Sequence, residues 1–330
     1  MDRHITFELG RICERAALAC APFVGRGDRH GADKAATEAM RQAFDDLGIR
    51  GTIVIGEGER DEAPMLYIGE EVGAHARHKP HAEGRDYSGS AGFKLQIAVD
   101  PLEGTNLCAN GLPGAITVIA ATQEGEGTLL AAPDVYMEKI AVGEACVGRV
   151  DLTASVAENL RNIASALEKP VEEVTVVALD RPRHEKLIDD VRKAGARIRL
   201  ITDGDVAGAL AAAMPENDID VLMGIGAAPE GVLAAAGLRA MRGQIQGRLV
   251  FKNDAEKERA RTMGVSDPDH IFSTEELASG NVMFAACGVT TGEFLRGVRY
   301  TKHGAYTHSV VMRSATHTIR WIEAEHHFGS

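Results

Sequence analysis

Apolar positions recur every three or four residues over the first part of the chain, and the same spacing returns several times later. Residues 5–20 and 32–47 have this spacing, which predicts two amphipathic helices. Short apolar runs follow, each ended by glycine, proline or acidic residues, and these runs predict buried strands. The predicted strands are 52–55, 95–99, 116–121, 174–179, 197–201 and 219–223, and the predicted helices of the second half are 184–194, 205–213 and 229–241. Alternating strands and helices are typical of an α/β fold.

The last part of the chain is rich in strands. Apolar and β-branched residues predict strands at 282–286, 307–312 and 316–322, which we expect to pair antiparallel and to close a second lobe. Because 330 residues are too many for one simple core, we expect either two lobes or one large layered α/β unit. The two-lobe division would be 1–170 and 171–330.

Composition excludes several classes of protein. The net charge of −12 argues against a nucleic-acid or anionic membrane surface. No apolar run reaches the roughly 18 residues of a membrane span and the first residues do not have the pattern of a secretory signal, so we expect a cytoplasmic protein. The five cysteines are odd in number and lack a C-x-x-C pair, which favours reduced, buried thiols over disulfides or a zinc site.

The segment Val99-Asp100-Pro101-Leu102-Glu103-Gly104-Thr105 places two carboxylates and a hydroxyl at the end of a predicted strand. Pro101 lacks an amide hydrogen and is expected to end the strand, and Gly104 permits a positive φ. We therefore expect Asp100 and Glu103 to turn towards one point. Carboxylate oxygens of this kind suit Mg²⁺ or Mn²⁺ better than zinc.

Three further segments place acidic residues beside glycine or proline at the ends of predicted elements. They are Gly31-Ala32-Asp33, Gly56-Glu57-Gly58-Glu59 and Ala227-Ala228-Pro229-Glu230-Gly231. Each carboxylate taken alone is also explained as a helix cap or a solvated turn, and Glu230 suits the start of a helix. Taken together they predict a site for two divalent cations, which is suited to hydrolysis of a phosphate monoester, with Thr105 beside the attacking water.

An acidic protein that binds a phosphate ester needs positive charge at the binding site. Arg181-Pro182-Arg183 follows a predicted strand and can bind a second phosphate, although a basic surface turn is the alternative. Asp203-Gly204-Asp205 either binds sugar hydroxyls or caps the next helix. Tyr136 either contacts a sugar or belongs to the core.

These motifs occur in order along nearly the whole chain, and they resemble those of the class II fructose-1,6-bisphosphatases. The resemblance is strongest to the cyanobacterial type, which also hydrolyses sedoheptulose 1,7-bisphosphate. The resemblance extends to Asp61-Glu62-Ala63-Pro64-Met65-Leu66-Tyr67-Ile68-Gly69-Glu70. The shorter Asp100 to Thr105 turn also resembles the wider lithium-sensitive, metal-dependent phosphatase superfamily, which includes the inositol monophosphatases.

The resemblance implies a layered α/β/α/β/α sandwich, Mg²⁺ or Mn²⁺ as cofactor, and a cytoplasmic homodimer or homotetramer. It implies hydrolysis of the 1-phosphate of fructose 1,6-bisphosphate, and of sedoheptulose 1,7-bisphosphate, in gluconeogenesis or the Calvin cycle. The implied metal ligands are Asp33, Glu57, Asp100, Glu103 and Glu230. The implied catalytic residues are Asp61 and Thr105. The implied substrate contacts are Glu103, Gly104, Thr105, Tyr136, Arg181, Arg183, Asp203, Gly204 and Asp205.

Three other functions fit the sequence less well. Gly224 and Gly226 begin a G-x-G-x-x-G pattern after a strand, but Pro229 stands at the third glycine, which argues against dinucleotide binding. A phosphatase acting on inositol phosphate or a phosphoadenosine uses the same chemistry, and the Arg181 and Arg183 pair favours a sugar bisphosphate instead. A non-catalytic sensor is disfavoured because the acids and the hydroxyl proposed for catalysis are all present.

Overall fold

The computed structural model describes residues 3–58, 65–76 and 93–328. The chain forms two compact units, of which the first contains Met1–Leu129 and Gly280–Ser330 and the second contains Leu130–Ser279. The chain therefore passes from one unit to the other twice, whereas the predicted lobes 1–170 and 171–330 have a single boundary. Each unit combines helices with a β-sheet, so the predicted α/β class is confirmed.

The first unit is built on one mixed sheet, and its elements are numbered here along the whole chain. They are α1 (Arg3–Cys20), α2 (Arg29–Asp45), β1 (Ile49–Ile55), β2 (Glu71–Val72), β3 (Phe93–Glu103), α3 (Thr105–Asn110), β4 (Ile116–Leu129), β11 (Ala278–Gly288), β12 (Arg299–Tyr300), β13 (Gly304–Arg313) and β14 (Thr318–His327). The strand order is β12-β13-β11-β4-β3-β1-β2, with β14 paired to β13. Strands β1 and β3 are parallel, and β3 is antiparallel to β4.

The two predicted N-terminal helices, α1 and α2, are confirmed and pack on this sheet. Their apolar residues share one buried core with strands β1, β3 and β4. Leu9 of α1, Met40 and Phe44 of α2, and Ile53 and Ile97 of the sheet are completely buried there. Burial of this helical face stabilises the unit, because it removes large apolar surfaces from water.

The C-terminal strands β11, β13 and β14 belong to the sheet of the first unit, and the prediction that they close the second lobe is wrong. Strand β11 lies between β4 and β13. Its alternate residues Met283, Ala285 and Cys287 lie in the same core as α1 and α2. The strand pattern specified a buried face, but it did not specify which neighbouring strand would pair with it.

The second unit is a separate six-stranded sheet with helices. Its elements are β5 (Tyr136–Val142), α4 (Val156–Ala166), β6 (Thr175–Leu179), α5 (Glu185–Lys193), β7 (Arg197–Ile201), α6 (Asp205–Ala211), β8 (Val221–Ala227), α7 (Ala228–Met241), β9 (Gln244–Val250), α8 (Asp254–Thr262), β10 (Ile271–Ser273) and α9 (Thr274–Leu277). The strand order is β10-β9-β5-β8-β6-β7. Strand β6 is parallel to β7 and β8, which confirms the predicted alternation of strands and helices, whereas β5 is antiparallel to β8 and β9.

Two findings bear on the expectations from composition. All five cysteines are free and buried, as expected. Over the three described ranges of the chain, we find no helix with the length and apolar content that a membrane crossing requires.

Candidate active site

Three predicted metal ligands of the first unit lie close enough for their charges to interact. Glu57 follows β1 by two residues, and Asp100 lies near the end of the parallel neighbour β3. The last paired residue of β1, Ile55, is opposite Ala98, and Glu57 and Asp100 each lie two residues further along their segments. Asp33 is in the second turn of α2. Burial, followed by the charges of Asp100 and Asp33, raises the pKa of Glu57 from 4.5 to about 8.

The raised pKa has a simple electrostatic cause. Carboxylates that are close together and shielded from water cannot all ionise without a compensating cation. Burial also raises the pKa of Asp33, although His30 and Arg29 act in the opposite direction. Three such carboxylates offer the oxygen donors that Mg²⁺ and Mn²⁺ prefer. The residues present therefore fit a divalent cation.

A β-bulge determines the direction of the next two predicted residues. Asp100 is opposite Val118 and Glu103 is opposite Ile116, so β3 has one extra residue between these pairs. In a regular strand, residues three apart face opposite sides, and the extra residue brings Asp100 and Glu103 to the same side. The prediction that Pro101 ends the strand is wrong, because the strand continues through the bulge to Glu103.

The turn after the bulge has the predicted backbone conformation. Gly104 has φ 87° and precedes α3, which begins at Thr105. A Cβ at Gly104 would lie 2.9 Å from Leu107 Cδ1, a side-chain end that can shift, so the positive φ is the reason for glycine here. Glu103 is buried and Thr105 is half-buried. The predicted catalytic Asp61 lies outside the described residues.

In the second unit, the acidic residues surround a buried lysine. Lys139 Nζ lies 2.5 Å from Asp205 Oδ2, 3.7 Å from Glu230 Oε2 and 2.9 Å from the Ala227 carbonyl oxygen. The side chains of Lys139 and Asp205 are only 2% and 4% exposed. Burial acts to raise the pKa of Asp205, but the Lys139 charge and a hydrogen bond with Glu230 outweigh it and hold the pKa below 3.8.

Glu230 lies at the start of α7, where Pro229 also stands. Its Oε2 accepts a hydrogen bond from Ala227 N at 3.0 Å. The structure thus contains the helix-capping contact that the alternative explanation of Glu230 predicts. Its role as a metal ligand stays a prediction.

The second predicted substrate region surrounds Tyr136 at the start of β5. This ring is half-buried, and cationic groups lie 4.7 Å (Arg183 Cζ) and 4.5 Å (Lys252 Nζ) from its centroid. Both distances suit cation–π contacts. Two cations that share one aromatic ring repel each other, and an anion bound between them would relieve this repulsion. The arrangement suits a phosphate group.

The Arg181-Pro182-Arg183 turn is held against β8 by its last residues. Arg183 Nε and Nη2 donate to the Ile225 carbonyl oxygen at 2.9 and 2.7 Å, and Ile225 N donates to His184 Nε2 at 2.7 Å. Two of the five Arg183 donors are therefore used within the protein, which orients the guanidinium. Arg181 Nη1 donates to its neighbour Asp180 O at 3.0 Å.

The remaining predicted residues lie at the start of α6. Gly204 has φ 90° and is the N-cap residue, with no side-chain cap, and Asp205 is the first helical residue. Asp203 is half-buried. The Asp205 carboxylate pairs with Lys139 inside the unit, and its predicted contact with a sugar stays a prediction.

Sequence reasoning missed Lys139 and Lys252. A signal for Lys139 was present, since this single lysine interrupts the apolar half of β5 (Tyr136–Val142), whose residues from Lys139 onwards are all buried. A charged residue in such a run is normally paired. Lys252 lies just beyond β9 on an exposed turn, and nothing in its local sequence distinguished it from other surface lysines.

Comparison with known proteins agrees with this chemistry. The family profile described as "Bacterial fructose-1,6-bisphosphatase, glpX-encoded" matches residues 3–326. The chain is 46% identical to a protein of Trichodesmium erythraeum named D-fructose 1,6-bisphosphatase class 2/sedoheptulose 1,7-bisphosphatase, over 100% of this chain and 98% of that protein. Proteins with the same name in Thermosynechococcus vestitus and Synechococcus elongatus are 46% and 44% identical, each over 99% of this chain and 97% of the relative.

A solved structure, the extragenic suppressor protein suhB from Bartonella henselae, aligns with a TM-score of 0.33 and 15% identity over 64% of this chain and 74% of that chain. The assignment rests on the sequence comparisons alone. The chain belongs to the bacterial, glpX-encoded fructose-1,6-bisphosphatase family.

Proposed function

We propose that this protein hydrolyses the 1-phosphate of fructose 1,6-bisphosphate, and that of sedoheptulose 1,7-bisphosphate, with Mg²⁺ or Mn²⁺ as cofactor. The observation that supports the proposal most directly is the carboxylate cluster of Asp33, Glu57 and Asp100, in which the pKa of Glu57 rises to about 8. A buried group of this kind is poised to exchange its proton for a cation.

The proposed metal ligands are Asp33, Glu57, Asp100, Glu103 and Glu230. When bound, divalent cations neutralise a phosphate dianion, lower the pKa of bound water and stabilise the leaving oxygen. The bulge in β3 serves this role because it turns two carboxylates of one strand to one side. The ligand role of Glu103 and Glu230 follows from the family resemblance.

Thr105 and Asp61 are the proposed groups that hold the attacking water. Thr105 directly follows the Glu103-Gly104 turn, so its position is set by the same bulge and by the positive φ of Gly104. A hydroxyl can donate one hydrogen bond and accept another, which allows it to orient a water molecule. The substrate contact of Gly104 follows from the family resemblance.

The cationic pair beside Tyr136 is the proposed site for the second phosphate. Arg183 is oriented by Ile225 O, and Lys252 lies against the same ring. Arg181, Asp203, Gly204 and Asp205 complete the substrate region by resemblance. Because Asp205 is paired with Lys139, we assign it to the support of this region rather than to a direct sugar contact.

The test is phosphate release from fructose 1,6-bisphosphate, sedoheptulose 1,7-bisphosphate and inositol 1-phosphate, each with and without EDTA. We expect release from the two sugar bisphosphates that stops with EDTA and returns with added Mg²⁺ or Mn²⁺. Activity that chelation leaves unchanged, or activity restricted to inositol phosphate, would contradict the proposal.

A residue-level test uses Glu103→Gln. The substitution keeps the side-chain volume and removes the charge, so we expect turnover to fall by orders of magnitude while the far-UV circular dichroism and the thermal transition are retained. Near-normal turnover of the folded variant would show that the metal site is misplaced. The cytoplasmic location and the homodimer or homotetramer stay predictions, and light scattering of the purified protein tests the latter.

A further inference from the structure

A buried ion pair lies next to the turn that carries Glu57. Arg41 Nε on α2 donates to Glu70 Oε1 at 2.6 Å, and the two side chains are 5% and 6% exposed. Arg41 Nη1 also binds Asp45 Oδ1 at 2.8 Å. Residue 70 is the last of the long family motif that begins at Asp61, and the proposed chemistry gives it no role.

The second carboxylate oxygen of Glu70 holds a backbone segment. Glu70 Oε2 accepts the N–H of Leu66, which lies four residues earlier. Leu66 has φ 54°, in the left-handed region that a leucine rarely adopts, and its side chain is completely buried. Glu70 thus binds the backbone of a residue in an unusual conformation.

That conformation sets the direction of a carbonyl group that binds the Glu57 turn. Leu66 O accepts Glu57 N at 3.0 Å, and Gly58 O accepts Ile68 N at 3.0 Å. A Cβ at Gly56 would lie 1.9 Å from Leu66 O, so glycine is required for this close approach. A continuous series of hydrogen bonds therefore runs from α2 through Arg41, Glu70 and Leu66 to the backbone of Glu57.

A buried ion pair is by itself weak evidence for stability. Removing two charges from water is costly, and apolar side chains of the same size can stabilise a protein equally well. Helix α2 carries Asp33 as well as Arg41, so the pair links the helix that bears one carboxylate to the turn that bears another. A cation held between Asp33 and Glu57 needs both carboxylates in a fixed relation.

We propose that Glu70 is a positioning residue, which together with Arg41 holds the metal ligand Glu57 in a fixed relation to Asp33. The inference rests on the proposed function, because it takes Glu57 as a ligand. Residues that orient metal ligands without touching the metal typically change metal affinity by about ten- to a hundredfold when they are replaced.

The chemistry of a carboxylate makes the substitution Glu70→Gln informative. Glu70 accepts one hydrogen bond at each oxygen, from Arg41 Nε and from Leu66 N. A glutamine amide has one acceptor oxygen and one NH₂ donor. At one of the two positions, its NH₂ group would therefore face the N–H of Arg41 or of Leu66 without an acceptor between them. Glu70→Asp keeps two acceptor oxygens on a shorter side chain and is the conservative variant.

The neighbouring residue provides a matched control. Glu71 lies on β2 and forms an exposed ion pair with Arg50. Arg50 Nη2 is 2.9 Å from Glu71 Oε1, and the side chains of Arg50 and Glu71 are 51% and 46% exposed. Glu71→Gln makes the same chemical change one residue away, at a pair that contributes little. A general effect of losing one negative charge would lower metal affinity in both variants.

The experiment is Mn²⁺ titration of the full-length protein by calorimetry and by electron paramagnetic resonance, with kcat and KM measured in parallel. We expect Glu70→Gln to weaken Mn²⁺ binding about ten- to a hundredfold and to lower kcat more than it changes KM. Glu70→Asp should recover part of the loss, and Glu71→Gln should bind as the wild type does.

A folded Glu70→Gln protein that binds Mn²⁺ as tightly as the wild type would overturn the inference while the proposed function stands. A wild-type protein that binds neither Mn²⁺ nor Mg²⁺ would overturn both. If Glu70→Gln has no cooperative thermal transition, Arg41→Lys takes its place, since an ammonium keeps the charge and loses the fixed guanidinium geometry. Unchanged Mn²⁺ affinity in Arg41→Lys would then be the contrary result.

Discussion

Replacing Lys139 by methionine removes the ammonium group that faces buried Asp205 and keeps a similar apolar stem. The N to O distance in this pair is 2.5 Å, and the side chains are 2% and 4% exposed. At this separation and an effective dielectric constant of about 20, the gross Coulomb attraction is about 7 kcal/mol. Most of it compensates for the removal of both charges from water. Loss of one partner leaves the other charge buried without compensation.

The expected loss for Lys139→Met is about 3–5 kcal/mol of unfolding free energy, the usual cost of breaking a buried pair. Asp205→Asn should cost less, about 1–3 kcal/mol, because Lys139 keeps the Ala227 carbonyl oxygen and Glu230 as partners. The double variant should lose less than the sum of the two single variants, since no charge is then left buried in the pair.

The sign of the pH dependence follows from the carboxyl group. In the wild type the pKa of Asp205 is held below 3.8, so the stabilisation by this pair is present above that pH and is lost as the pH falls through it. In Lys139→Met, burial is opposed only by the Glu230 hydrogen bond and the Arg183 charge, so the pKa of Asp205 should rise. The penalty of the variant should therefore be smaller at pH 5.5 than at pH 8.

The assay is urea denaturation followed by far-UV circular dichroism, with the free energy obtained by linear extrapolation. Trp321 is the single tryptophan of the chain and lies on β14 of the first unit, so its fluorescence reports that unit separately. The assigned energetics would be refuted if the unfolding free energy of Lys139→Met were within about 1 kcal/mol of the wild type and if the effects of Lys139→Met and Asp205→Asn were additive in the double variant.

Two further predictions concern backbone turns and a buried imidazole. Burial, with the charges of Arg183 and Arg181, lowers the pKa of His184 below 6.5, although Leu179 O and Asp205 act in the opposite direction. The unfolded chain therefore binds the proton more tightly than the folded protein does. The free energy of unfolding should fall as the pH drops through 6.5. Urea midpoints at pH 7.5, 6 and 5 should therefore decline more steeply for the wild type than for His184→Gln, and equal slopes would contradict this assignment. Gly104→Ala should lower stability by about 1–2 kcal/mol, because φ is 87° there, and should also abolish most turnover. Gly125→Ala is the control, because Gly125 has a similar φ of 82° and no atom lies near the added Cβ. This variant should show the loss of stability with normal turnover. Equal loss of turnover in both variants would exclude a special role for the Gly104 turn.

Local patterns predicted most of the elements that carry the site. The helical spacing of residues 32–47 corresponds to α2, and the apolar run 95–99 lies within β3. Acidic residues beside glycine marked the ends of these elements, because tight turns and carboxylate clusters require particular residue types. The placement of Asp33, Glu57 and Asp100 in one cluster of the first unit follows from these signals once β1 and β3 are parallel neighbours.

Other features were absent from local patterns. The bulge between Asp100 and Glu103 depends on the pairing of β3 with β4, and Pro101 alone suggested that the strand would stop. The pairing of β11 with β4 joins segments far apart in the chain, which periodicity cannot specify. The Lys139 to Asp205 pair and the Arg41 to Glu70 pair likewise join residues on separate elements.

The sequence by itself determined many of the helices and strands, although not β5, α4, β9 or α8, and it determined which residue types are available for cation and phosphate chemistry. These properties depend on side chains a few positions apart. Tertiary structure decided which strands are neighbours, which carboxylates raise the pKa of Glu57 and which charges are buried in pairs. The physical reason is that electrostatic energy depends on distance and burial, which arise only when remote segments pack together.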